Sequence, residues 1–329
     1  MMIGRRTETI PVATGAASSP ADSHAETRPP GERVGILLVF LSAVIWSFGG
    51  TIGRYVEHLD SWTTVFWRSF WAVAFLLAFM AWRDGVRGTV ALFRNMGLPG
   101  LVVAGCFATA STCFVVALSY TSVANILLMQ AGAPLFAALI AWAVLGEAVS
   151  RATWGAIAAV ITGVAIMVSK SFDGTVSPIG DGLALATALV FAVATVITRR
   201  YAHVRMTPAT CLGAGIAGAI SFVMAGSLAV GLADTGFLFA FGALNLGLGL
   251  ALFASGARLI PAAVAALLGT FETLLGPIWV WLIHAEVPNG RTLLGGAVVL
   301  AALVFHIGME FRRQSRPAKP GTTGFPQPS

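Results

Sequence analysis

The sequence predicts an all-α membrane protein of ten transmembrane helices, built as two inverted five-helix repeats. Three observations carry that prediction. Of the 329 residues, 57% are hydrophobic and only 10% charged, whereas a soluble domain has about 25% charged residues. One soluble core of this length cannot absorb so much apolar surface. Ten apolar segments follow one another, each about 20–25 residues and so able to cross ~30 Å of hydrocarbon. Finally, the chain resembles itself at an offset of 139 to 140 residues.

Taken in order, residues 1–33 are rich in Pro, Ser, Thr, Ala and charge. They lack the apolar run of a signal peptide and are expected to form a disordered tail. The first five spans are predicted near Val34–Tyr55, Trp62–Trp82, Leu98–Tyr120, Thr121–Leu145 and Ala152–Ser169. The second five fall near Gly182–Tyr201, Pro208–Leu232, Thr235–Leu259, Pro261–Ala285 and Thr292–Phe311. None shows the alternation of a barrel strand. The expected organisation is a tail over 1–33, one repeat over 34–170, a second over 180–311 and a basic tail over 312–329. The connections are too short for a soluble catalytic or nucleotide domain, so an ATP-driven pump is not expected.

Lys and Arg set the orientation. With both tails inside, the inner segments carry 16 of them and the outer segments three, Arg54, Lys170 and Arg291, while Arg68 lies within a span. This positive-inside bias places both termini in the cytoplasm of a plasma-membrane protein. It also accounts for the net charge of +6 without nucleic acid; the basic tails would meet only anionic lipid.

The repeat is visible in short motifs. Leu145-Gly146-Glu147 followed by Gly155 matches His284-Ala285-Glu286 followed by Gly295. Ser122-Val123-Ala124-Asn125 matches Pro261-Ala262-Ala263-Val264, and Trp142 matches Trp281. Five helices is an odd number, so the second unit is inverted relative to the first. Glu147 then lies at the inner end and Glu286 at the outer. Inverted repeats are how many secondary transporters build alternating access around a midplane site.

Ionisable groups inside the bilayer are site candidates, because a charge at the centre costs about 2.5–3.5 kcal/mol even on insertion scales. Glu272 stands near the middle of the ninth span with no basic residue within a turn. It can serve as proton carrier, as partner for a substrate amine, or as a neutral carboxyl bonded between helices. Arg68, about two turns from the outer end of the second span, is expected to snorkel outward, with Glu57 and Asp60 as partners. Asn125 and Gln130 in the fourth span and Asn245 in the eighth each need a partner, whether helix or ligand. Ser42, Trp46, Gly49 and Gly53 share one helix face, as do Thr187, Phe191, Thr195 and Thr198, and again Gly269, Glu272 and Gly276. Such faces either pack or line a cavity. Pro134 and Pro277 each free a carbonyl one turn back. Gly155, Ala159 and Gly163 form a row suited to close helix packing, including against a second copy in a homodimer.

Other motifs carry no chemistry. Gly213 to Gly218 fits G-x-G-x-x-G but lies within an apolar span without a preceding strand. His306 and Glu310 lack a third ligand, so neither metal nor cofactor is expected. Cys106, Cys113 and Cys211 all sit in apolar runs and read as small packing residues.

The ordered set resembles the EamA-type permeases of the drug/metabolite transporter superfamily over about residues 34–311. The resemblance rests on Trp46-Ser47, Arg68, the run Ala117 to Ala124, Pro134, Leu145-Gly146-Glu147 and Gly155. In the second repeat it rests on Pro261 to Ala265, Glu272, Glu286 and Gly295-Gly296. There Glu272-Thr273 stands where many members have Glu-Pro, and His284-Ala285-Glu286 replaces Leu-Gly-Glu. The resemblance implies a central cavity lined mainly by spans 1, 3, 4, 6, 8 and 9, and ATP-independent movement of a small metabolite. The expected substrate and coupling residues are Glu272, Gln130, Asn125, Asn245, Trp46 and Thr195. Arg68, Pro134, Pro277, Glu147 and Glu286 are expected to be structural or gating residues. The competing classes are a non-transporting membrane scaffold and an intramembrane enzyme; the latter would need a paired acid and base, and only one central carboxyl is visible.

Overall fold

The computed structural model describes residues 30–146, 149–169, 177–201, 203–260 and 262–314, and every regular element among them is helical. Glu147, Pro261, Lys170 and most of both tails lie outside the described residues.

Span 1 is two helices, α1 (Pro30–Ser47) and α2 (Gly49–Tyr55). Span 2 is α3 (Ser61–Asn95) and span 3 is α4 (Gly97–Leu118). Span 4 is broken into α5 (Val123–Gln130) and α6 (Ala133–Leu145), and span 5 is α7 (Arg151–Val168). In the second half, α8 (Pro178–Arg200) and α9 (Thr207–Met224) form spans 6 and 7. Span 8 is α10 (Leu232–Phe239), a π-helical stretch (Ala240–Leu248) and α11 (Gly249–Gly256). Spans 9 and 10 are α12 (Ala262–His284) and α13 (Gly290–Gln314). Nine of these rods are long and apolar enough to cross a membrane among the described residues. The 23 residues of α12 make the tenth, about 34 Å long.

The ends follow from local chemistry. Asp60 accepts from the Thr63 N–H (3.1 Å) and starts α3. Ser122 and Ser150 do the same for α5 and α7. Asn289 Oδ1 takes the Thr292 N–H (3.0 Å) ahead of α13. These side chains satisfy amides that a helix start leaves without partners.

Several boundaries move from their predicted places. The first helix begins at Pro30, which is tolerated at a helix start because its missing N–H is not needed there. α3 runs on to Asn95, about 52 Å if straight and longer than a bilayer requires. It breaks at Gly85 (φ 71°, ψ 165°), a left-handed position that glycine adopts without strain. The span therefore ends near Trp82. Span 7 ends at Met224, and the next residues run extended, held where Thr63 and Trp67 donate to the Ser227 and Leu228 carbonyls (2.6 and 3.0 Å).

Packing between the halves is reciprocal. α4 lies against α8 while α1 lies against α11, so the third span of each repeat meets the first span of the other. Span 4 meets α8, and span 1 meets α12. α3 pairs with α9, and α7 with α13. Each contact thus has its counterpart, as two inverted units related by a pseudo-two-fold axis require.

Small residues set the closest approaches. A methyl on Gly163 would stand 2.7 Å from the Gly295 carbonyl oxygen. The row containing Gly163 therefore packs within the chain, whereas Gly155 has open space before it. The π-helical stretch brings residues five apart to one side, so Gly242 and Gly247 both face α3, at Trp71 and Phe75. A methyl at Gly242 would strike the Arg68 carbonyl, a backbone atom that cannot yield. Gly242→Ala is expected to destabilise the protein by about 2 kcal/mol. A denaturation midpoint matching wild type would contradict this packing.

Candidate functional site

The middle of the bundle is where helices break. α1 gives way to α2 at Phe48, and α5 gives way to α6 at Ala131 and Gly132. Pro134, in the first turn of α6, has no N–H to offer the Gln130 carbonyl. Pro277 inside α12 leaves the Thr273 carbonyl in the same condition. The two half-helix and proline irregularities lie at one depth, because Gly276 of α12 faces Leu127 of α5 and the two elements run in opposite directions. One turn further on both, towards the C-terminus of α5 and the N-terminus of α12, brings Gln130 level with Glu272.

Glu272 is bracketed along the α1–α12 interface. Towards the C-terminus of α12, Gly276 approaches the Ser47 carbonyl. Towards the N-terminus of α12, Phe271 meets Phe40 edge-on at 5.3 Å. Glu272 itself is half-buried and makes no hydrogen bond or ion pair among the described residues. A side chain at Gly269, on the same face, would meet only open space. The Gln130 carbonyl-type oxygen, Oε1, is buried without a partner among the described residues. The indole N–H of Trp46 is also buried without a partner; the ring sits against Gly249 and Phe253. At the offset of 140 residues, Glu272 occupies the place that Gly132 holds in the first repeat. A carboxyl in one repeat thus answers a chain break in the other.

Arg68 does not snorkel outward. It is 7% exposed, with its guanidinium over the Phe241 ring (4.5 Å) and near Phe114 (5.7 Å). It donates to Ser111 Oγ at 2.7 Å, and its Nε has no partner. The suggested partners are engaged elsewhere: Asp60 caps α3, and Glu57 pairs with Arg54 (3.2 Å). Arg68 lies on the inward face of α3, where α4 and the π-helical stretch enclose it, so the route to the surface is closed.

The three amides do not share one cavity. Asn245, 4% exposed, donates to the Ile45 and Trp46 carbonyls (2.6 and 3.3 Å). It secures the bend of span 1 where the helical ladder is interrupted. Asn125 sits near the opposite end of α5, bonded to Asp181 of α8 and to Thr121 Oγ1 (3.1 Å). Of the three, only Gln130 is level with Glu272. Thr195 is exposed, and its hydroxyl returns to the Phe191 carbonyl at 2.8 Å. It does not join the other predicted residues. Thr195→Val is therefore expected to leave transport within about twofold of wild type, and a larger loss in a matched-expression assay would contradict this placement. Glu147 lies outside the described residues.

The end of the bundle away from the termini is latched. Arg54 Nε meets Glu286 Oε2 at 2.8 Å. Its other nitrogens reach the Leu118 and Thr121 carbonyls. Glu286 Oε1 also accepts the Val123 N–H (2.9 Å), the first amide of α5. His284 lies 3.0 Å from the Thr51 carbonyl and edge-on to Tyr55, which stacks on Phe237 (4.6 Å). Span 1, α4, α5 and the α12–α13 connection are thereby joined around one guanidinium, and Tyr55 ties α10 to them through Phe237. Near the other end Arg205 forms a two-pronged pair with Asp84 (2.7 and 3.1 Å), which lies just past Trp82 and outside the span. Arg205 beside it holds the Asp84 carboxyl below its ordinary value.

Three residues of this arrangement were not singled out from sequence. Arg54 counted only as an outer charge, His284 only as a motif departure, and Asp181 fell one residue before the predicted sixth span. Asp181 is 3% exposed. An acidic residue in the first turn of an apolar helix was the available signal. No group of three His, Cys, Asp or Glu suited to a metal occurs among the described residues.

Comparison with known proteins agrees with this architecture. The sequence profile of the EamA-like transporter family matches residues 33–169 and 178–308, one stretch per repeat. The pseudopaline exporter CntI of Pseudomonas aeruginosa strain UCBPP-PA14 is 26% identical over 276 residues, covering 82% of this chain and 94% of that protein. The protein of the same name from strain PAO1 is 26% identical over 280 residues, with the same coverage. One solved crystal structure superposes with a TM-score of 0.62 at 16% identity, over 87% of this chain and 99% of its own.

Proposed function

Because the chain belongs to the EamA-like transporter family, we propose that it is a secondary transporter exporting a small organic metabolite across the plasma membrane by alternating access, without ATP. The observation that carries this reading is Glu272. A carboxyl without a partner, at the depth where two spans are interrupted, is costly to a scaffold and useful to a carrier. The freed carbonyls of Gln130 and Thr273, with Gln130 Oε1 and the Trp46 indole N–H, offer both acceptors and a donor. Glu272 acts as the ligand or coupling group.

The latched end is the outer one by the distribution of Lys and Arg, which puts both termini in the cytoplasm. In that orientation Arg54 and Glu286 close the outside, and the inverted arrangement reopens it when the two repeats rock against each other. Outward movement is supported by the two exporters named above. The unpartnered carboxyl favours a cationic or zwitterionic solute.

The test compares small molecules in medium and cells for wild type and empty membranes. One chemical class should move to the medium with wild type. Profiles that match empty membranes across growth conditions, together with no ligand binding by the purified protein, would favour the scaffold reading instead.

A further inference from the structure

The end opposite the latch gathers guanidinium groups around one carboxylate. Arg83 and Asp84 follow the end of the second span, Arg205 stands between α8 and α9, and Arg258 follows α11. Asp84 gives both carboxylate oxygens to Arg205. After Arg205, Arg83 and Arg258 also act on its charge. One carboxylate therefore serves three cations, and its oxygens are already taken. The one hydrogen bond of Arg83 among the described residues is to Ser255 Oγ at 3.5 Å, the limit of hydrogen-bond length. Arg258 makes no hydrogen bond or ion pair among the described residues. Partial burial, and then the fields of Arg205 and Arg83, hold its pKa below the ordinary value. Like charges gathered this way repel, and a second anion relieves them. The cluster is flanked by open apolar surface: Trp82, next to Arg83, is 83% exposed, and Leu259, next to Arg258, is 45% exposed. In a membrane-spanning bundle such side chains meet lipid, and Trp sits at the level of the headgroups.

We propose that Arg83, Arg205 and Arg258 form a binding site for the phosphate of an anionic phospholipid, whose acyl chains lie along Trp82 and Leu259. A guanidinium offers paired donors that match phosphate oxygens. Arg83 and Arg258 supply those donors, and Arg205, held by Asp84, adds to the field. A zwitterionic headgroup brings a cation of its own into that field and is disfavoured. The site spans both repeats, since Arg83 belongs to the first and Arg205 and Arg258 to the second. A bound lipid therefore bridges the repeats at this end, as the Arg54–Glu286 pair does at the latch. The site does not rest on the transport reading.

The test is native mass spectrometry of the purified full chain, given dioleoyl phosphatidylglycerol and dioleoyl phosphatidylcholine in equal amounts. Wild type should retain phosphatidylglycerol about tenfold over phosphatidylcholine. Arg83→Gln and Arg258→Gln should each weaken that retention about fivefold. Arg151→Gln removes the same charge at the same end, on α7, which packs chiefly against α13, and should retain lipid as wild type does. Arg83 and Arg258 are both exposed, so their variants should fold. Thermal melts check this, and either variant decides if the other is not folded. Equal retention of the two lipids by wild type overturns the site, as does an equal loss in Arg151→Gln and Arg258→Gln. Inorganic phosphate is the second probe. Saturable thermal protection of wild type by phosphate, lost in Arg258→Gln and without any preference between the lipids, would show a soluble-ion site and overturn the lipid.

Discussion

Glu272→Gln should abolish transport and raise the melting temperature together. The amide keeps the shape of the side chain and removes the charge. The carboxyl has no hydrogen bond or ion pair among the described residues, so whatever fraction of it ionises is held in the bundle without compensation. Relieving that should stabilise the protein by about 1–3 kcal/mol. Transport of the exported class should fall at least about 100-fold, because the group that takes the solute or the proton is gone. Had Glu272 been glue between helices, the same substitution would lower the melting temperature and leave transport near normal. The two roles therefore move the two readouts in opposite directions, and opposed stability and activity are what a strained functional group produces. Detergent melts and matched-expression transport assays check both.

Arg54→Met is expected to release the latched end. The pair with Glu286 is mostly buried, with side chains 14% and 22% exposed, and Arg54 also joins two carbonyls. A fully buried pair broken on one side costs about 3–5 kcal/mol; partial exposure brings the loss to about 1–2 kcal/mol. If that loss falls on the closed state, the open population rises about tenfold. Thr51 is buried beneath the latch, where its carbonyl meets His284. In a background without the three native cysteines, Thr51→Cys in purified protein should react with maleimide about tenfold faster once Arg54→Met is added. Equal rates would show that Arg54 does not hold the end shut. Glu286→Gln should act in the same direction but less strongly, since its amide oxygen can still accept the Val123 N–H.

The spans, the repeat and the central carboxyl were legible because each is a local or periodic property. Length and apolarity mark a rod, and one acid in the middle of α12 stands out against its neighbours. What Asn125 and Asn245 bond to was not legible. Their partners are 56 and 200 residues away, and only the packing of the two repeats decides them. Arg68 was misplaced for a related reason: distance from a helix end does not show which face of the helix points inward. Here Gly242 admits the α3 backbone so closely that Arg68 is enclosed beside Phe241. The π-helical stretch that puts Gly242 and Gly247 on one side has no signature in a pattern scored at 3.6 residues per turn. Thr195 failed in the opposite sense, since a shared helix face with Thr187 did not extend along the whole of α8: Thr187 is buried and Thr195 is not.

The proposed function requires that the protein itself carry a solute and that Glu272 take part in the carrying step. The most direct measurement is exchange of the exported class by purified protein in liposomes without ATP, comparing wild type with Glu272→Gln. Wild type should show saturable exchange, accelerated by the same solute on the far side, and Glu272→Gln should lose it. Exchange at the wild-type rate in Glu272→Gln, or wild-type exchange no faster than in empty liposomes, would contradict it.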